Sequence, residues 1–271
     1  MDTPTIDLDR CRRDGLCARV CPTTALRVGP GGVPAVQPGV PCYACGQCAA
    51  VCPQGAVRVA GASPDDLEPL PPGWRLDPER VGRLLRGRRS VRAFRPEPLP
   101  RAALLEILTT AQHAPSPFNL QPIAWVVLGT APAVRRVADA VAGWMRRTTE
   151  ERSPLAGALG LPALLAAWDA GTDTVCRGAP HLLVAHAPAA DPGGSVTGAV
   201  AVTTAAVAAL PHGAGSCWAG LVPLAAPASP EVTRALALPE GRACAGALLV
   251  GYPAVEVRRV PRRRAPAVEW R

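Results

Sequence analysis

Apolar side chains at Val81, Leu84 and Leu85 follow Asp77-Pro78, an N-cap and a first-turn proline, and predict a helix that opens a new module at Asp77. The pattern predicts further helices near Arg101–His113, Ala133–Thr148, Thr197–Leu210 and Pro230–Leu236. Strand-like apolar runs occupy Ile123–Leu128, His181–Ala185, Ser216–Ala219 and Ala245–Tyr252. Helices and strands mixed in this way predict an α+β domain over residues 77–271. Upstream, two short strand-like runs, Ala25–Val28 and Ala56–Ala60, each follow a cysteine-rich loop, with a turn-forming Gly29–Gly32 between them. Residues 1–60 therefore read as a separate module of two similar halves, and residues 61–76, rich in Pro, Asp and Leu, as a linker.

The helix Thr197–Leu210 carries mostly Ala, Val and Thr, which suits either a close subunit contact or a tightly packed core. The longest apolar stretch, Val196–Leu210, is shorter than a bilayer span, so no membrane partner is expected. No G-x-G-x-x-G follows a strand, which leaves a dinucleotide-binding Rossmann unit without support.

The cysteines give the first module its chemistry. Cys42, Cys45, Cys48 and Cys52 stand in the frame C-x-x-C-x-x-C-x-x-x-C-P, the ligand run of a bacterial-type ferredoxin. Cys11, Cys17 and Cys21 before Pro22 repeat the frame with Asp14 in the place of one cysteine. By the crossed ligation rule, Cys42, Cys45, Cys48 and Cys21 hold one 4Fe-4S cluster, and Cys11, Cys17 and Cys52 the other, with Asp14 at its fourth corner. A carboxylate is a harder and weaker ligand here than a thiolate. The second site is therefore an Asp-ligated 4Fe-4S cluster, a 3Fe-4S cluster lacking that corner, or a labile site, and Asp14 as an ordinary surface aspartate is the plain alternative. Zinc and disulfides are the competing uses of such thiols.

Charge narrows the field further. The chain has 271 residues, 29 basic and 21 acidic side chains and a formal charge of +8, and none of the basic residues is lysine. Schiff-base and phosphate-loop lysine chemistry are excluded. The surplus suits anionic clusters and a phosphate better than nucleic acid, which is not an expected partner. Residues 1–10 are polar and acidic with no apolar signal segment, so a cytoplasmic location is expected. Cys176, Cys217 and Cys244 lack ligand spacing and read as buried free thiols. The four histidines show no metal or triad pattern, and His113, just ahead of a motif described next, is the one of interest.

Four segments, RRSVRAF at Arg88–Phe94, APSPFNLQP at Ala114–Pro122, AGSCWAG from Ala214 and GYPAVEVRRVPRRR near the C-terminus, come in an order that resembles the nitroreductase family of flavoproteins. The whole chain is similar to a ferredoxin-fused branch of that family. The resemblance implies an N-terminal ferredoxin-like iron-sulfur domain followed by an FMN-binding α+β domain, in a homodimer with the flavin between subunits. It implies that Arg88, Arg89, Ser90 and Arg92 meet the FMN phosphate and ribityl chain. Pro115, Ser116 and Asn119 reach the flavin from the other subunit, and the backbone around Gly215, Ser216, Cys217 and Trp218 lies near the ring. Arg259 and Arg263 close on the phosphate. A guanidinium fork with a serine hydroxyl is independently suited to a phosphate. Ile123 and Ala214 depart from the family pattern, an aromatic and a leucine respectively, and leave the substrate pocket undefined.

Clusters move electrons singly and a flavin moves one or two. Their combination points to an oxidoreductase in which the flavin N5, rather than a side chain, carries the chemistry. Expected substrates are small nitro compounds, quinones or activated C=C or C=N bonds. The electron partner is a ferredoxin-like protein or NAD(P)H, and the direction of flow stays open. The competing readings are an NAD(P)H-dependent nitroreductase-type enzyme with accessory clusters and a non-catalytic electron carrier or redox sensor.

Overall fold

The structure is a computed structural model that describes residues 3–60 and 62–271; Gly61, the first residue of the expected linker, lies outside them. The chain divides into two compact units, one of Met1–Leu76 with Ser116–Leu120 and one of Asp77–Pro115 with Gln121–Arg271.

The first unit contains β1 (Thr5–Ile6), α1 (Leu16–Arg19), β2 (Leu26–Val28), β3 (Pro34–Val36), α2 (Gln47–Ala50) and β4 (Val57–Arg58). β1 pairs antiparallel with β4, and β2 with β3, so the chain ends of the module are tied together and its middle forms a hairpin. The strands within Ala25–Val28 and Ala56–Ala60 are shorter than their sequence runs, although the Ala25 and Ala56 carbonyls still accept from the Gln37 and Asp7 N–H groups at 2.8 Å. Cys17, Leu26, Cys48, Ala49, Val57 and Val59 make the core. Residues 62–76 count with this unit: Ala62 bridges Val59, and Ser63 caps the turn Pro64–Asp66.

Local backbone conformation repeats between the halves. Arg13, Gly15 and Thr24 have φ of 60°, 70° and 60°, and Ala44, Gly46 and Gly55, at the same steps from their first cysteine, have 49°, 73° and 55°. Gly15 and Gly46 each sit left-handed at the start of a one-turn helix. The frame is thus a property of the backbone, shared by the half with a cysteine at the corner and the half with an aspartate.

The second unit contains α3 (Pro78–Gly87), α4 (Arg101–Ala111), β5 (Ala124–Leu128), α5 (Ala131–Glu150), α6 (Pro154–Leu159), α7 (Leu161–Asp169), β6 (His181–Pro188), α8 (Gly194–Ala208), β7 (Gly215–Trp218), α9 (Leu221–Ala225), α10 (Pro230–Leu236) and β8 (Arg242–Gly251). Its sheet is antiparallel with order β5-β6-β8-β7. Successive side chains of a strand face opposite ways. Leu182, Val184, Ala247 and Leu249 accordingly join the core under α5, α7, α9 and α10. Leu183, Ala185, Leu248 and Val250 join the core under α4 and α8. The sheet is a middle layer with helices on both faces, an α+β arrangement as expected.

Helix α8 lies on β8 at backbone distance. A Cβ built at Gly198 would fall 2.3 Å from the Ala245 carbonyl oxygen, so glycine is needed there. Length and composition would let Gly194–His212 cross a membrane, but Thr197, Gly198, Ala201, Val202 and Ala205 are buried against the sheet and α4. Helix α3 begins as expected: Asp77 Oδ1 accepts from the Arg80 N–H at 2.9 Å. Its apolar face does not reach a core within one chain, since Val81, Leu84 and Leu85 are 37%, 38% and 52% exposed.

Candidate functional site

In the first unit, Cys42, Cys45 and Cys48 share one pocket with Cys21, the thiol contributed by the other half, together with Leu26, Tyr43, Gly46 and Val59. On the other side, Cys17 lies within electrostatic reach of Cys11 and Cys52. Both groupings are the crossed sets read from the spacing. All ten cysteines are free thiols, so the disulfide alternative is not formed. Among the described residues no three of His, Cys, Asp or Glu converge tightly enough for a single ion. A tetrahedral zinc, with Zn–S near 2.3 Å, needs that convergence, whereas a cubane holds its thiolates farther apart.

Backbone donors address the sulfurs. Cys11 Sγ accepts from the Arg13 N–H and Cys42 Sγ from the Ala44 N–H, each at 3.4 Å, and Cys52 Sγ accepts from the Ala56 N–H at 3.2 Å. Hydrogen bonds to sulfur stabilise thiolate charge and tune a cluster's potential. Burial raises the Cys48 pKa to about 11 and also raises that of Cys17. Burial pushes Cys21 upward as well, but hydrogen bonds from Leu26, Thr23 and Ala25 outweigh it and the net shift is downward.

Asp14 occupies the place of Cys45 in the other half but is exposed, and its Oδ1 accepts from the Leu16 N–H at 3.1 Å. The carboxylate closes a local turn at the corner where the other half presents sulfur. Ser116 and Asn119 belong to this first unit. Asn119 Nδ2 donates to the Ala44 carbonyl at 3.1 Å, and the Phe118 ring meets Tyr43 edge-on with centroids 5.0 Å apart. Pro115 is exposed and belongs to the second unit.

In the second unit, three distant segments meet at one edge of the sheet. The Val91 N–H donates to the Ser216 carbonyl at 2.9 Å, the Arg95 N–H to Tyr252 at 2.8 Å, and the Ala254 N–H to Ala93 at 2.9 Å. Ser90 bridges Ser216, and Phe94 bridges Pro253. Packing at the junction requires glycines: a Cβ at Gly215 would fall 2.4 Å from Val91 Cγ2, and one at Gly251 would fall 2.6 Å from Pro180 Cδ. Ser216 is 2% exposed, yet its Oγ has no hydrogen-bond partner. A buried hydroxyl left unsatisfied marks a place where a polar group belongs. Arg88 and Arg89 are half-buried beside it, Arg92 is exposed, and none of the three makes an ion pair among the described residues. Cys217 is buried and Trp218 is 40% exposed. Arg259 and Arg263 lie in the exposed segment 254–271, and neither makes an ion pair among the described residues.

Comparison with known proteins bears on this junction directly. The model of the nitroreductase family matches residues 85–252, which contain the first two meeting segments and the third as far as Tyr252. The chain belongs to the nitroreductase family. A 4Fe-4S binding domain model matches residues 4–27 of this chain, the half that carries Cys11, Asp14, Cys17 and Cys21. The nitroreductase NfnB of Mycolicibacterium smegmatis is 42% identical over 74 residues, which are 27% of this chain and 31% of that relative. The crystal structure of the FMN-dependent nitroreductase NfnB from Mycobacterium smegmatis in complex with NADPH is 26% identical, with a TM-score of 0.52, over 69% of this chain and 95% of that one. A nitroreductase with bound FMN from Bacteroides fragilis, 21% identical with a TM-score of 0.56 over 70% and 98%, shares the fold.

The nitroreductase module also holds a polar clamp that the sequence pattern did not reveal. Arg242 Nε donates to His186 Nδ1 at 2.9 Å, and its Nη2 donates to the Pro122 carbonyl at 2.7 Å and the His186 carbonyl at 3.0 Å. Gln112 Nε2 adds a bond to the Ile123 carbonyl at 3.3 Å. Together they fix the base of the Ala114–Pro122 segment. Burial, then the Arg242 charge, lowers the His186 pKa, so the imidazole accepts as the neutral base. The bulge at Ala185/His186 that aims this histidine could not be read from one strand alone.

Proposed function

We propose that the chain is an FMN-dependent oxidoreductase in which two iron-sulfur clusters relay single electrons to or from FMN, with a small organic molecule as the terminal substrate. The observation that carries the reading is the pocket in which Cys21 joins Cys42, Cys45 and Cys48. A thiol borrowed from the other half is what crossed 4Fe-4S ligation needs and what a lone zinc loop does not.

FMN fits the junction of the second unit. Among the described residues Ser216 Oγ is a buried hydroxyl without a partner and Arg88 and Arg89 are half-buried cations with no carboxylate partner, while Gly215 keeps the backbone open. Arg88, Arg89, Ser90 and Arg92 would hold the phosphate and ribityl chain, and the backbone of Gly215, Ser216, Cys217 and Trp218 would lie by the ring. Pro115, Ser116 and Asn119 would complete the site from a second copy, and Arg259 and Arg263 would close on the phosphate. FMN, when bound, supplies one- and two-electron exchange at its N5. The chain's own groups bind and orient it, and no side chain is assigned a nucleophilic or acid-base role. The exposed apolar face of α3 supports the expected homodimer, in a cytoplasmic protein.

The relatives crystallised with FMN or NADPH favour a second reading, in which NADPH reduces the flavin directly and the clusters are accessory. Anaerobic purification with iron, sulfide and flavin counts tests the cofactors. Rapid mixing with NADPH, NADH or reduced ferredoxin then separates the readings. Full-rate flavin bleaching by NADPH after the clusters are removed rules out an obligatory relay. A colourless protein with zinc in the thiol pockets rules out both.

A further inference from the structure

The halves of the first unit share a backbone frame and differ in charge. From Arg10 to Arg27 stand five exposed arginines, Arg10, Arg12, Arg13, Arg19 and Arg27, with Asp14 as the sole carboxylate among them. The matching stretch from Pro41 to Arg58 has Arg58 as its only fixed charge. None of the five arginines makes an ion pair among the described residues. Asp7 and Asp9 lie just upstream, and Asp7 Oδ1 is engaged by the N–H groups of Asp9 and Arg10.

Exposed apolar side chains lie within or beside the basic stretch. Val28 is 53% exposed, and its Cγ2 lies 3.1 Å from where a Cβ on Gly15 would sit, next to Asp14. The turn at Gly32 lies against the Arg13 backbone, and Leu8 is 58% exposed. Exposed charge beside exposed apolar side chains suits a protein-docking face, with the charge setting partner and encounter rate. An anionic cluster beneath offsets part of the charge, but the other half has Arg58 alone to set against its own cluster, so the polarity between the halves remains.

We propose that this face, beside the Cys11–Asp14 loop, docks an acidic one-electron carrier protein, and that electrons cross to or from the outside through the cluster on the Asp14 side. The proposal rests on the relay reading above. In the reducing direction one electron leaves the carrier and the cluster gains it, with no proton or bond exchanged. An acidic protein fits better than nucleic acid because the face has no aromatic ring on which a base could stack.

The test uses the anaerobic holoprotein mixed rapidly with reduced flavodoxin, an acidic carrier, while cluster bleaching is followed. The triple variant Arg12→Glu, Arg19→Glu, Arg27→Glu should slow the second-order rate about tenfold or more at low ionic strength. The difference should shrink at about 0.5 M salt, where screening acts over a few ångströms. Reduction by dithionite and the paramagnetic resonance spectra of both clusters should be unchanged in the variant. A reversal at the exposed Arg136, in the second unit, should leave the flavodoxin rate unaltered. Equal rates for wild type and triple variant at low salt overturn the proposal. So does loss of duplex DNA binding in the triple variant with electron entry intact, which assigns the face to nucleic acid. Failure of dithionite to produce any cluster signal in the wild type instead removes the relay reading, a result distinct from either.

Discussion

Gly215→Ala tests whether the three segments of the second unit meet as described. The new Cβ would lie 2.4 Å from Val91 Cγ2 and 3.0 Å from Pro253 Cγ, against an ordinary carbon contact of about 3.5–4.0 Å. Val91 cannot simply turn aside, because its own N–H is bonded to the Ser216 carbonyl beside the glycine. Overpacking of this kind costs about 1–3 kcal/mol, and a weakened Val91–Ser216 hydrogen bond adds about 0.5–1.5 kcal/mol. Replacing a strand glycine returns roughly 0.5–1 kcal/mol of backbone entropy. The net expectation is a loss of about 1–3 kcal/mol, or roughly 2–12 °C in Tm for a unit of this size. Urea unfolding of the apoprotein, followed by tryptophan fluorescence, keeps ligand binding out of the measurement; every tryptophan except Trp74 belongs to the second unit. Val91→Ala removes the clashing methyl, so the double variant should recover part of the loss. A Gly215→Ala protein as stable as wild type, or a double variant additive within about 0.5 kcal/mol, would mean that the segments do not pack this way.

Other expectations are equally direct. Cys21→Ala should remove the cluster of the Cys42–Cys48 run and spare the one on the Asp14 side; iron counts with resonance spectra read this, and the opposite loss refutes crossed ligation. Asp14→Cys should bring that site to a four-iron spectrum, whereas an unchanged spectrum and iron content would count against Asp14 standing at a ligand corner. Burial lowers the pKa of His181, and burial with the Arg242 charge lowers that of His186, so the folded state refuses protons that the unfolded state accepts. Stability contributed by these residues is present above about pH 6.5 and is lost as the pH falls below it, with a slope of at most ~1.4 kcal/mol per pH unit for each. His181→Gln should flatten the curve obtained by urea unfolding at several pH values. Arg242→Met should leave the Pro122 carbonyl and His186 without their donor and cost about 1–3 kcal/mol in the same assay.

Much of this architecture was legible because local signals agreed with the fold. The cap at Asp77, the helix Pro230–Leu236 and the apolar strand runs each state their structure within a few residues. The missed portions depend on distant partners. Helix α8 begins at Gly194, ahead of its sequence signal, because glycines that weaken a helix locally are needed where it touches Ala187 and Ala245. Strand β8 begins at Arg242 because it pairs with the end of β6, which no local pattern announces. Helices α6 and α7, broken by the left-handed Gly160, were hidden in an Ala- and Leu-rich stretch without a clear period. The meeting of Cys21 with Cys42, Cys45 and Cys48 in one pocket was foreshadowed by the spacing, which limits which thiols can share a site. The place of Ser116 and Asn119 with the first unit was not, because a long-range bond to Ala44 sets it.

The repeated left-handed positions in the first unit have an evolutionary meaning. Since φ at Arg13, Gly15 and Thr24 matches that of Ala44, Gly46 and Gly55, the loop keeps its shape whichever residue stands at the corner. A duplicated scaffold of that sort can trade one corner side chain for another without refolding, which leaves its two copies free to diverge in chemistry.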